Sequence, residues 1–250
     1  MRGRWICLAL LLVGCSCDDE EELAVEGDAP YVRCHAAEAP AERRWSVGAL
    51  RLARDGERRL TIEGAPEPAR LAVFAGPGPG ARPSEAAEAV AGLEPHLIAV
   101  LGDLGDEPGP LLAALGGLGP PVLVVPGGAD RRAPLVEALE GLEGAAADRV
   151  VDASVLRAIR LGRLELVPVP GAPGGRYAVD EGACGFSDDD LDAWALDEPA
   201  DGAHRVLLAW AGPEGEGDGS VTRGLMGTEA GSPRVGRLAE AVGARGALFA

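Results

Sequence analysis

The sequence contains no Lys, no Asn and no Gln. That removes a P-loop lysine, a Schiff-base lysine, an Asn-X-Ser/Thr glycosylation site and any carboxamide that would ligate a metal or stabilise an oxyanion. Imidazole is nearly as scarce, since His35, His96 and His204 are the whole supply. Aromatic residues make up 4% of the chain, so the core has to be built from Leu, Val and Ala, and little is available to stack nucleic-acid bases. The 40 acidic residues outnumber the 23 basic ones for a net charge of −17, which repels phosphate backbones. Nucleic acid is therefore not expected as a partner.

Half of the 250 residues are Ala (44), Gly (37), Arg (23) or Pro (20), a bias that coding composition explains without selection. At 47% hydrophobic and 25% charged the chain still lies in the globular range, and the length suffices for one domain with a substantial core.

No apolar run is long. The N-terminal one covers residues 5–13 after Arg2 and Arg4, and nine residues are too few to cross about 30 Å of hydrocarbon as a helix. A charged start, a short apolar stretch and a small residue before a cysteine are instead the marks of an export signal. Leu12-Val13-Gly14-Cys15 resembles the lipobox of bacterial lipoproteins. That resemblance implies removal of residues 1–14 and lipid attachment at Cys15, and Ser16 leans towards outer-membrane sorting. The expected location is the cell envelope, lipid-anchored and facing the periplasm, with the membrane as one partner. Loss of two Arg makes the mature charge −19, and the run Asp18-Asp19-Glu20-Glu21-Glu22 begins an acidic tether over residues 15–44. In an oxidising compartment one disulfide among Cys17, Cys34 and Cys184 is expected, with the pair left open.

Residues 45–250 read as the folded domain. The stretch 45–64 suggests two strands joined at Asp55-Gly56, and apolar runs follow at 71–75, 97–101 and 122–125. Helical spacing fits the residues after Ser84, which stands as an N-cap, and also 111–118 and 133–142. Strand-like segments come next near Val150 and at 155–161 and 164–169. A helix start at Ser187, a strand at 204–210, a helix at 233–242 and a last strand at 247–250 complete the pattern. Strands alternating with helices predict an α/β fold. The acids after Ser187 suit the positive end of a helix, and the acidic loop at 214–219 lacks the bidentate Glu of a calcium loop, with Leu225 in its place.

Four strand ends carry loops that resemble those of the calcineurin-like metallophosphoesterases over residues 70–250. Gly102-Asp103-Leu104-Gly105-Asp106 is similar to that family's GDxxD, and Gly127-Gly128-Ala129-Asp130 stands where it has GNHD. Residues 71–78 take the place of a strand ending in DxH, and Trp210 the place of an isolated metal-binding histidine. The resemblance implies a layered α/β/β/α sandwich and, in active members, two divalent ions that clamp a phosphoryl group and generate hydroxide. It assigns Asp103 as the bridging carboxylate and Asp130 as the group that orients a catalytic histidine, with Asp106 a further remnant of the motif. The remaining positions depart from the pattern. Gly76 and Gly78 replace the Asp and His of DxH, Gly128 the metal-binding Asn, Ala129 the general-acid His, and no GHxH precedes Ala250. No imidazole is expected at the site, because His96 and His204 each begin a strand and His35 lies in the tether. The expectation is a catalytically degenerate relative that binds a protein or small-molecule partner and carries no cofactor. The alternative is a metal-dependent phosphoesterase, a hydrolase with non-standard ligands or with missing ones supplied beyond Ala250.

Overall fold

The computed structural model of the chain describes residues 31–34, 40–76, 82–172, 182–187, 190, 202–213 and 232–249. The chain is mixed α/β. Thirteen strands are placed among those residues: β1 Tyr31–Arg33, β2 Arg43–Val47, β3 Leu50–Arg54, β4 Arg59–Glu63, β5 Leu71–Ala75, β6 Leu97–Leu101, β7 Val122–Val125, β8 Val150–Asp152, β9 Ala158–Leu161, β10 Leu164–Val169, β11 Ala183–Gly185, β12 His204–Ala209 and β13 Ala247–Phe249. The helices are α1 Pro83–Ala91, α2 Gly109–Gly116, α3 Arg132–Glu140, α4 Gly144–Arg149 and α5 Pro233–Ala241.

Strands β5-β6-β7-β8 form a parallel sheet, and β13-β12-β10-β9-β4-β3-β2 form a larger mixed one. The side-chain period of two explains how they stack. In β6, Leu97, Ala99 and Leu101 enter a core shared with Leu52, Leu60 and Ile62 of the mixed sheet, while Ile98 and Val100 pack with Val90 of α1 and Leu112 and Leu115 of α2. β7 does the same, with Leu123 and Val125 between the sheets and Val122 and Val124 under the helices. On the far side of the mixed sheet, Val167, Val169, Leu207 and Ala209 pack with Val235, Leu238 and Val242 around α5. The layers thus run helices, parallel sheet, mixed sheet, helix. Parallel strands covered on both faces must be apolar throughout, and all residues of β6 and β7 are buried.

The segment at 45–64 departs from its sequence reading. It makes three strands together with residues 43 and 44, because Gly48, at φ 58, turns the chain tightly so that Val47 pairs with Leu50. Asp55-Gly56 is not a two-residue hairpin either. The Asp55 carboxylate accepts N–H bonds from Glu57 (3.0 Å) and Arg59 (2.8 Å), and Arg58, not Gly56, takes the positive φ of 64°. Local side-chain capping decides the loop here. Ser84 lies inside α1, whose N-cap is Arg82 with Pro83 opening the helix. The short helix α4 has no counterpart in the sequence reading: its GAAADR composition carries no apolar stripe.

The helix expected after Ser187 lies mostly outside the described residues. At its start the Asp190 carboxylate accepts bonds from the Ser187 N–H (2.8 Å) and hydroxyl (3.0 Å). The stretch read as tether contributes to the fold. β1 runs parallel to β11, and Cys34 is disulfide-bonded to Cys184, which resolves the choice left open among the cysteines. Cys15 and Cys17 lie outside the described residues.

Candidate functional site

β6 and β7 are adjacent and parallel, with Leu101 beside Val125, so the loops that follow them leave the parallel sheet at the same edge. β10 and β12 are parallel neighbours in the mixed sheet and bring Val169 beside Ala209. Their carboxyl ends meet the same edge, where the Gly171 N–H donates to the Pro126 carbonyl (2.7 Å). Four strand ends from two sheets thereby converge, as the carboxyl edges of open α/β sheets commonly do at binding sites.

The centre of that edge is filled by Trp210. A β-carbon on Gly127 would lie 2.6 Å from Trp210 Cγ and 2.7 Å from Nε1, and one on Gly102 would lie 2.9 Å from Nε1. The indole therefore lies flush against backbone, and only glycine leaves room beneath it. Gly102 and Asp103 both sit in the left-handed region, at φ 67° and 54°. For the aspartate this is a sparsely populated conformation that the surroundings must hold. Gly76 stands equally tight against the Gly102 and Asp103 carbonyls and donates its N–H to Gly102 O at 2.8 Å. Packed glycines and a half-buried indole thus occupy the space in which larger polar side chains would otherwise meet.

Asp130 lies under this layer and is 3% exposed. Its Oδ2 accepts the Gly127 N–H (2.6 Å) and its Oδ1 the Leu104 N–H (2.7 Å), so one carboxylate ties the β6 loop to the β7 loop. Burial pushes its pKa up to about 6, against the pull of those two N–H groups and with a smaller push from the Asp103 charge. Asp103 is half-buried and Asp106 exposed; neither carboxylate has a hydrogen-bond partner among the described residues. Of the three motif acids, Asp130 is thus joined to the Asp103 loop, while Asp106 is exposed.

The histidines lie elsewhere. His96 Nδ1 accepts the Arg70 N–H (2.8 Å) at the amino end of β6, and His204 Nδ1 is 3.1 Å from Arg245 at the start of β12. His35 and Gly78 fall outside the described residues. A groove of about 820 Å³ opens beside His204 at this opposite edge, between residues 63–69 and the β9–β10 turn, lined by Glu67, Arg160 and Arg163.

Two dications held about 3.5–4 Å apart need several anionic or imidazole donors to offset their repulsion. Gly76, Gly128 and Ala129 supply no side-chain donor, and the Trp210 ring occupies the volume over Gly102 and Gly127. The residues of this edge do not fit a two-ion centre. Two of its features escaped the sequence reading. Asp130 clasps two backbone amides where the resemblance implied support for a histidine, and Trp210 fills the edge where the resemblance implied merely a lost ligand. The available signal was the pair of strand-end glycines at 102 and 127, which leaves space for one large side chain.

The sequence matches no protein-family model and is similar to no curated protein. A chain known from a crystal structure is similar to it at 13% identity and a TM-score of 0.55, over 72% of this chain and 83% of the other. At that identity the likeness shows the fold alone.

Proposed function

We propose that this chain is a lipid-anchored cell-envelope protein built on a calcineurin-like metallophosphoesterase sandwich, in which packing has replaced the metal centre. Its strand-end face serves as a binding surface for a protein or small-molecule partner. The observation that carries this reading is the indole of Trp210 seated on Gly102 and Gly127, above a carboxylate already engaged by two backbone amides. A two-metal hydrolytic site needs open volume, a metal-activated water and a general acid. Here the volume holds a side chain and Asp130 is committed to the backbone. The layer order supports the sandwich, as does the meeting of the motif-bearing ends of β5, β6, β7 and β12 at one edge. The Cys34–Cys184 disulfide supports export to an oxidising compartment.

The test is hydrolysis of phosphomonoesters and phosphodiesters by the purified protein with added Mn²⁺. No turnover above background is expected, and Asp103→Ala should change nothing. Mn²⁺-dependent turnover that disappears in Asp103→Ala would overturn the reading. Membrane release of Cys15→Ser tests the anchor separately.

A further inference from the structure

The Cys34–Cys184 disulfide joins more than two segments of chain. Cys184 is the middle residue of β11, and its backbone is engaged on both sides. Its N–H donates to the Asp130 carbonyl at 2.9 Å, and its carbonyl accepts the Ala172 N–H at 3.0 Å. Asp130 in turn holds the Leu104 and Gly127 amides, which belong to the loops floored by Gly102 and Gly127 under Trp210. A short path of one covalent bond and successive hydrogen bonds therefore runs from the N-terminal segment to the strand-end face. Gly171 packs into the same junction, where a β-carbon would lie 2.7 Å from the Cys184 carbonyl carbon and the Gly185 nitrogen.

Among the described residues, a short strand pairing holds the N-terminal segment there beside the sulfur bridge. β1 and β11 form a two-stranded sheet of three paired residues, separate from both large sheets. Isolated two-stranded pairs are marginal in water and open locally at low cost. Both cysteines are buried, at 1% and 0% exposure, so a thiol reaches the bridge only after a local opening. The large sheets share no backbone pairing with β1 and keep their own cores.

We propose that the Cys34–Cys184 disulfide is a redox latch on the strand-end face: closed, it holds the β6 and β7 loops in place through β11, and opened by a dithiol, it frees β1 and loosens those loops while both sheets persist. In the opening step a thiolate of the dithiol attacks one sulfur, the other cysteine leaves as thiolate and takes a proton, and the second thiol of the reductant then displaces the first cysteine. Two electrons and two protons pass to Cys34 and Cys184, and the reductant becomes a cyclic disulfide. The proposal goes beyond the binding reading, because it concerns the order of the face whatever that face binds.

The test is amide hydrogen exchange on the purified chain carrying Cys17→Ser, oxidised and after dithiothreitol. Reduction is expected to accelerate exchange at Cys184, Leu104 and Gly127 at least tenfold, to leave Val100 and Val124 within twofold, and to be reversed by reoxidation. Cys34→Ala/Cys184→Ala should give the reduced pattern whatever the redox conditions. Three results would overturn the latch: unchanged exchange at Leu104 and Gly127 after reduction, equal acceleration throughout both sheets, or a bridge that resists dithiothreitol until the protein unfolds. If the double variant does not fold, the reduced Cys17→Ser chain decides alone, and its failure to keep the sheets counts against the latch. Phosphoesterase assays do not enter this readout, so the two proposals fail independently.

Discussion

The two sheets solve opposite problems with the same few residue types. The parallel sheet is covered on both faces, and its central strands are uninterrupted apolar runs, LIAVL and VLVV, with every residue buried. Among the described residues, the outer face of the mixed sheet is covered by α5 and Phe186, over the carboxyl halves of β10 and β12. Its β2–β4 end alternates instead, so that Leu52, Leu60 and Ile62 face the core while Arg51 and Glu63 pair in solvent at 3.2 Å. Charge divides the same way. Residues 43–63 hold six Arg against three acids, whereas residues 82–149, which carry α1–α4, hold four Arg against eleven. The basic meander and the acidic helical layer together carry only −4 of the net −17, so the overall charge describes neither of them. The lesson is that an overall charge excludes a class of partner only for the surface on which that charge lies.

The largest effect that can break this comparison is expected in the parallel sheet. Leu123 is fully buried between the sheets, and Leu123→Ala should lower the unfolding free energy by about 4 kcal/mol, read from urea denaturation. A loss under about 1 kcal/mol would mean that the inter-sheet core is not the central one. At the strand-end face, Gly127→Ala drives a methyl group into the Trp210 ring and should cost about 3 kcal/mol. Adding Trp210→Ala should recover much of that cost, a coupling measurable in a double-mutant cycle. Simple additivity of the two changes would remove the indole from the glycine floor.

Asp130 gives the next effect, one with a definite sign. Its folded pKa of about 6 lies above the ordinary carboxylate value of 3.8, so between those pH values the folded state binds the proton more readily than the unfolded one. The contribution of Asp130 to stability is then greatest below pH 3.8 and declines as pH rises to 6, by about 3 kcal/mol in all. Unfolding free energies measured from pH 4 to 7 should carry this downward component, and Asp130→Asn should lack it. Identical slopes in the two proteins would refute the assignment. The smallest effect belongs to the outer face of the mixed sheet. Arg51→Ala removes an exposed ion pair and should change stability by at most about 0.5 kcal/mol.

Much of the parallel sheet was legible because its strands are short, wholly apolar and punctuated by glycine and proline. Residues 71–75, 97–101 and 122–125 were read at their observed bounds. The β2–β4 meander was harder, since one of its turns rests on a single positive-φ glycine at 48 and the other on capping by Asp55. The helix α4 was invisible, because six small or charged residues carry no periodic signal and are held by contact with α2. At the candidate site the sequence put Asp103 first, as a bridging carboxylate, with Asp106 and Asp130 as remnants of the motif, whereas the structure singles out Asp130. Only burial separates the clasping Asp130 from the exposed Asp106.

The sequence by itself determined the alternation of strands and helices, the poverty of ligating side chains and the acidic balance, because these depend on residue type and near-neighbour spacing alone. Tertiary structure decided which distant residues meet. Cys34 reaches Cys184 across 150 residues, Asp130 reaches Leu104 across 26, and the Trp210 ring comes to rest on glycines more than eighty residues upstream. No local pattern encodes these meetings. They follow from two sheets closing on one apolar core, which brings the carboxyl ends of β6, β7, β10 and β12 to a common edge and leaves a space there that a glycine floor and one indole fill.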